Sequence, residues 1–178
     1  ETSVALLPAG RDNSNPLTTQ VAVAAGRAVR VSDALSELFD ATGSGALRVS
    51  AASNDLTVTS RTFNLTPEGT YGQYIPGVTA ARAIGAGETG ALAQLRRSAS
   101  FRTNVGVVNL TSTPITVEAV FNAADGGELG RATYDLEPYG FRQANGAIPG
   151  AGDVDGGFAL LSSPDAGAVF LAYASVVD

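Results

Sequence analysis

The sequence predicts an all-β fold of two tandem Ig-like antiparallel β-sandwich units with one short crossover helix. Three observations carry this reading. Segments alternating polar and apolar residues recur along the 178-residue chain. Turn-forming clusters such as "GRDNSNP", "SND", "TPEG", "NAADGGE" and "SPDAG" interrupt them at roughly the spacing of a sandwich. The second half of the chain also repeats the order of segments in the first half.

Taken in order, "SVALLPAGRDN" (Ser3–Asn13) reads as a short strand, a small-residue bend and an acidic turn. "TTQVAVAAGRAVRVSDAL" reads as a strand, a turn at Ala25-Gly26 and a second strand through Val29 and Val31. "VSDALSELFDATG" breaks the pattern: Ser32 or Asp33 can cap a helix, Leu35, Leu38 and Phe39 have helical spacing, and Gly43 stops it. "ALRVSA" puts Leu47 and Val49 on one strand face and Arg48 on the other, and "LTVTSRTF" (Leu56–Phe63) alternates again. Residues 65–100 carry Tyr71, Tyr74, Ile75, Leu92 and Leu95, too many large apolar residues for a floppy linker, so a packed connector is expected. Within it, "TGALAQLRRSASF" fits an edge strand or a helical turn. "FRTNVGVVNLTSTPITVEAVF" (Phe101–Phe121) is two strands joined by a turn, and "AVFLAYASVV" (Ala168–Val177) is apolar on both faces, as a central strand would be.

The internal comparison sets Ser3–Asn13 against Thr116–Gly126 and divides the chain into a first unit (1–64), a connector (65–100) and a second unit (101–178). In this alignment the strand Phe101–Asn109 has no counterpart, because its place lies before Glu1. The first sandwich is therefore expected to lack its opening strand, leaving a strand-addition groove beside Ser3, Ala5 and Leu7.

Composition bounds the function. Apolar residues make up 44% and charged residues 16% of the chain, the balance of a folded protein. The formal charge is −6, and all 11 cations are arginines, scattered singly except for Arg96-Arg97. That argues against nucleic acid, whose phosphates need a clustered basic footprint, and against an anionic membrane surface. No apolar run is long enough to span a bilayer, so no membrane insertion is expected. Cys, Met, Trp and His are absent, which removes thiolate chemistry and predicts an upstream segment lost to processing. Few charges and no oxidisable sulfur point to an extracellular or cell-surface protein.

The chemistry on offer is sparse. Without His or Lys, neither a Ser-His nor a Ser-Lys nucleophile can be built, so no catalytic residue is predicted and the chain is not expected to be an enzyme. Asp153 and Asp155 could flank a sugar bond with Asp33, Glu37 or Asp125, but Asp-x-Asp-Gly-Gly is first a turn. No cofactor is predicted. Weak candidates for a structural calcium are Asp125, Asp153 and Asp155, since oxygen ligands are all that the chain offers. Tyr139 and Phe141 are the aromatics best placed to bind a ligand, and "NLT" makes Asn64 and Asn109 glycosylation sequons.

The segments Ser60–Val78, Phe101–Phe121, Leu136–Asn145 and Asp153–Asp178, in that order, resemble a tandem β-sandwich repeat module of large secreted or extracellular bacterial proteins, a functionally uncharacterised family. The resemblance implies the sandwich fold and the location; it brings no site residue. It differs at both ends, because the family's first unit opens with an F-x-T-x-V-x-V-x-N strand and its pattern runs a little past the closing "SVVD". Both ends are therefore expected to be cut. The expected function is a non-catalytic extracellular structural or assembly module, a subunit of a filament or surface layer completed by strand addition. The alternative is an accessory binding module for glycan or protein adhesion within a larger secreted chain. Expected partners are other protein subunits, by self-association, or the rest of a larger chain.

Overall fold

The computed structural model describes residues 1–53 and 55–178, without the side chains of Thr70 and Tyr71. Strand accounts for 52% of the chain and helix for 5%, with antiparallel sheets, so the all-β expectation holds. The elements are β1 (Thr2–Pro8), β2 (Leu17–Val21), α1 (Ala34–Phe39), β3 (Gly45–Ala51), β4 (Thr59–Thr66), β5 (Gly69–Pro76), β6 (Ile84–Gly85) and β7 (Gly90–Arg97). They continue as β8 (Arg102–Asn109), β9 (Ile115–Asn122), β10 (Glu128–Leu136), β11 (Phe141–Ala144), β12 (Val154–Ser162) and β13 (Val169–Val177).

The chain divides into two compact units, at boundaries other than those expected. The first holds Glu1–Leu6, Leu17–Thr42 and Leu47–Thr79; the second holds Leu7–Pro16, Gly43–Ala46 and Ala80–Asp178. The connector expected at 65–100 is not a separate element. Its first part completes β4 and forms β5, and the remainder supplies β6 and β7 to the second unit. The cause is visible at Leu95, whose side chain is 1% exposed and belongs to the core.

In the second unit two four-stranded sheets, ordered β10-β9-β12-β7 and β11-β8-β13-β6, share one apolar core. Strand alternation explains how. Val105 and Val107 of β8 and Phe170 of β13 come from one sheet, while Val117 and Phe121 of β9, Tyr134 of β10 and Leu161 of β12 come from the other. These side chains are at most 1% exposed, and burying a large apolar side chain contributes roughly 1.5–3 kcal/mol. β13 is central, between β8 and β6, as its two apolar faces predicted. Opposite Tyr173 on β13 stands Gly106 on β8; a Cβ there would lie 2.2 Å from the tyrosine ring, so the glycine makes room for it.

The first unit has a three-stranded sheet, β2-β1-β3, and a separate β4–β5 ribbon. Its buried apolar residues, among those described, are Val4, Ala5 and Leu6 of the central strand β1. Of the two cap candidates, Ser32 and Asp33, helix α1 uses Asp33, whose side chain accepts from the Ser36 amide at 3.1 Å. It ends at Phe39, short of Gly43, because Asp40 takes the left-handed turn itself, at φ 49.

Two expectations are overturned in this unit. Val29 and Val31 form no strand: the turn at Ala25-Gly26 leads into irregular backbone, and Val29 is 49% exposed. The groove beside Ser3, Ala5 and Leu7 is also absent. β1 is flanked by β2 and β3, with Ser3 opposite Gln20 and Ala5 opposite Thr18. Both lanes beside β1 are therefore occupied.

Candidate functional site

The candidate site is the β4–β5 ribbon of the first unit. Its register is unbroken from Thr59 opposite Pro76 to Thr66 opposite Gly69. Pro67 presets the first corner of the turn, and Gly69, at φ 141, takes a backbone conformation that a side chain would oppose. The Thr66 hydroxyl donates to the Gly69 carbonyl at 3.1 Å and holds the turn closed.

Alternation puts Arg61, Phe63 and Leu65 of β4 on one face, with Tyr74 opposite Arg61 on β5. Gly72 lies across from Phe63, where a Cβ would sit 2.5 Å from the phenylalanine Cβ. The Arg61 guanidinium lies over the Phe63 ring, 5.4 Å from its centroid. This face is turned to solvent: Phe63 is 44%, Tyr74 62% and Leu65 79% exposed. Neither outer edge pairs with another described strand, so on each eight-residue strand the alternate backbone groups that point outward have no ladder partner among the described strands. The ribbon was missed as a site because its residues were assigned to a strand and a connector. The adjacent signals "SRTFNLT" and "GTYGQYI" around Pro67 would have revealed a hairpin.

The sequence-predicted residues do not gather into one site. Phe141 is 6% exposed and unavailable to a ligand, because its strand packs into the body of the second unit. Tyr139 is half-buried at the third position of the Glu137–Gly140 turn, with φ 50, and its carbonyl accepts from the Asn13 amide at 3.1 Å. Tyr71's side chain lies outside the described residues. Asn64 is exposed on β4. Asn109 is 0% exposed and donates to the carbonyls of Thr113 and Glu137 at 2.7 and 2.9 Å, so in the folded chain its amide is closed to glycosylation.

Of the three calcium candidates, Asp125 and Asp155 have partners within the protein and Asp153 is exposed. Asp125 accepts the Gly127 amide at 3.0 Å within its turn, and Asp155 pairs with Arg96 at 2.8 Å. Among the described residues no three acidic, His or Cys side chains come together to hold a metal ion. A shallow cleft of about 200 Å³ in the second unit is lined by Asp135, Glu137 and Asp165 with Thr116. Two of those carboxylates are spent on Thr116: Asp165 accepts its amide at 2.6 Å and Asp135 its hydroxyl at 3.0 Å. Bidentate contact with Arg131, at 2.9 Å for each oxygen, lowers the pKa of Glu128. Hydrogen bonds from Ser14 do the same for Asp12. Burial raises the phenols of Tyr134 and Tyr173.

Among the described residues no helix is long and apolar enough to cross a membrane. Compared with family models, curated proteins and solved structures, the chain matches none.

Proposed function

We propose that the chain is a non-catalytic extracellular structural or assembly module that associates through the open edges and apolar face of the β4–β5 ribbon. The observation that carries this reading is the ribbon itself: regular, unbulged, paired with no other described strand along either edge, and bearing exposed Phe63, Leu65 and Tyr74. A two-stranded hairpin alone is marginally stable in water, and an edge without protection templates another strand. Added strands give main-chain hydrogen bonds and bury these side chains together. Head-to-tail contact of this kind propagates, which would make the protein a subunit of a filament or surface layer with Ig-like units. The sequence composition supports the extracellular setting.

Sedimentation equilibrium over a wide concentration range tests the proposal. Wild-type protein is expected to self-associate, and the double variant Phe63→Lys/Leu65→Lys to remain monomeric with unchanged circular dichroism. Wild-type protein that stays monomeric throughout would remove the proposal. A second reading, an accessory module for glycan adhesion, draws on the same face, where Arg61 and Phe63 stand beside Tyr74. A glycan array bound by wild type and lost in Tyr74→Ala would favour it.

A further inference from the structure

The loop before β12 is folded around a positive charge. Five consecutive carbonyls, from Ile148 to Gly152, converge on the guanidinium of Arg97 at the end of β7. Nε donates to Gly152 at 2.7 Å. Nη1 donates to Ile148 at 3.0 Å, Pro149 at 2.5 Å and Gly150 at 3.1 Å, and Nη2 to Ala151 at 2.8 Å. Successive carbonyls ordinarily point apart. Here Gly150 and Gly152, at φ 86 and 85, alternate in hand with Pro149 and Ala151 and bring them to one side. Three residues further on, Asp155 takes the neighbouring Arg96 at 2.8 Å.

We infer that residues 148–155 form a cation-binding loop whose cation is built into the chain: Arg97 fills a guanidinium-shaped carbonyl socket, and Arg96 neutralises Asp155. The five carbonyls are divided among the three nitrogens of the planar fork, with the two N–H groups of Nη1 shared among three of them, a spread that a single ammonium nitrogen or a spherical ion does not offer. The place where the sequence suggested calcium is thus served by an arginine pair. The socket closes one end of the second unit's sandwich. Ile148 is 5% exposed and belongs to the core, Pro149 lies against Gly130, and the Ala147 amide donates to Thr103 at 2.7 Å.

The test uses the full chain with Arg97→Ala and reads amide exchange at Ala147, whose hydrogen bond does not involve Arg97. Exchange there is expected to quicken about ten- to a hundredfold, the loss of charged hydrogen bonds. Guanidinium or methylguanidinium chloride, far below denaturing concentration, is expected to restore protection, while calcium and potassium chloride leave exchange fast. Arg97→Lys, which keeps the charge and covers any failure of the alanine variant to fold, is expected to exchange at least about fivefold faster than wild type. Unchanged exchange in either variant, or rescue of Arg97→Ala by calcium or potassium, would overturn the inference.

Discussion

In the second unit each sheet edge is blunted by a different device. β6 has two residues and β11 four, and β11 is further covered by a parallel bridge from Ala9. Irregular pairing breaks the β7–β12 ladder, with Gln94 at φ 62, and β10 has a bulge between Glu128 and Gly130 that brings Glu128 and Arg131 together. In the first unit, the β4–β5 ribbon has two eight-residue strands in unbroken register and none of these devices. Among the described residues, ten large apolar side chains are exposed; Leu160 and Val176 lie in the second unit and the other eight between Leu17 and Val78. Similar residues thus make two sheets around one core in one region and an exposed two-stranded ribbon in the other. The difference lies in what the chain does with its edges.

The widest separation between the units is expected in their tolerance of truncation. Phe121→Ala removes a ring that is 0% exposed and should cost about 3–5 kcal/mol in chemical denaturation. Phe63→Ala, at 44% exposure, should cost less than about 1 kcal/mol in dilute protein. Equal costs would erase the contrast. Asn109→Leu comes next. It orphans the Thr113 and Glu137 carbonyls that tie the end of β8 to the following turns, and about 2–3 kcal/mol of stability should be lost. Gly106→Val, by forcing a Cβ into the Tyr173 ring, should cost about 1–3 kcal/mol and change the near-ultraviolet tyrosine signal.

How much of this was legible follows the same divide. The second unit was readable because core packing rewards alternation: Val105, Val107, Phe121 and Phe170 stand where the period of two puts them. The α1 cap was legible to within one residue, Ser32 or Asp33, since it depends on neighbours alone. The first unit was harder to read. Its strands are mostly exposed, so alternation marks no buried face and leaves the register weakly specified. The vacant lane expected beside Ser3, Ala5 and Leu7 is where β2 and β3 stand, because the strands that flank β1 are set by pairings distant in sequence. Burial at Phe141 and Asn109 depends on contacts distant in sequence, such as Asn109 with Glu137, and no local pattern announces it. The carbonyl socket of Arg97 likewise needs residues 51 to 55 positions away.

The smallest expected effect concerns the one described buried side-chain polar atom without a partner, the Tyr134 hydroxyl. Tyr134→Phe should be neutral or stabilising by up to about 1 kcal/mol, since it removes a desolvated group that gains no hydrogen bond. Burial raises the folded pKa of this phenol above its unfolded value. Its contribution is therefore complete below about pH 10 and is lost as pH rises towards the folded pKa. The variant should accordingly resist alkaline unfolding better than wild type; an unchanged or lowered alkaline midpoint would speak against the burial.

The central claim, that the ribbon edges are the place of association, is tested most directly by amide exchange measured at increasing protein concentration. The account predicts that peptides spanning Thr59–Thr66 and Gly69–Pro76 gain protection with concentration while those of β8 and β9 do not change. Protection independent of concentration across the ribbon, or a gain confined to the second unit, would contradict it.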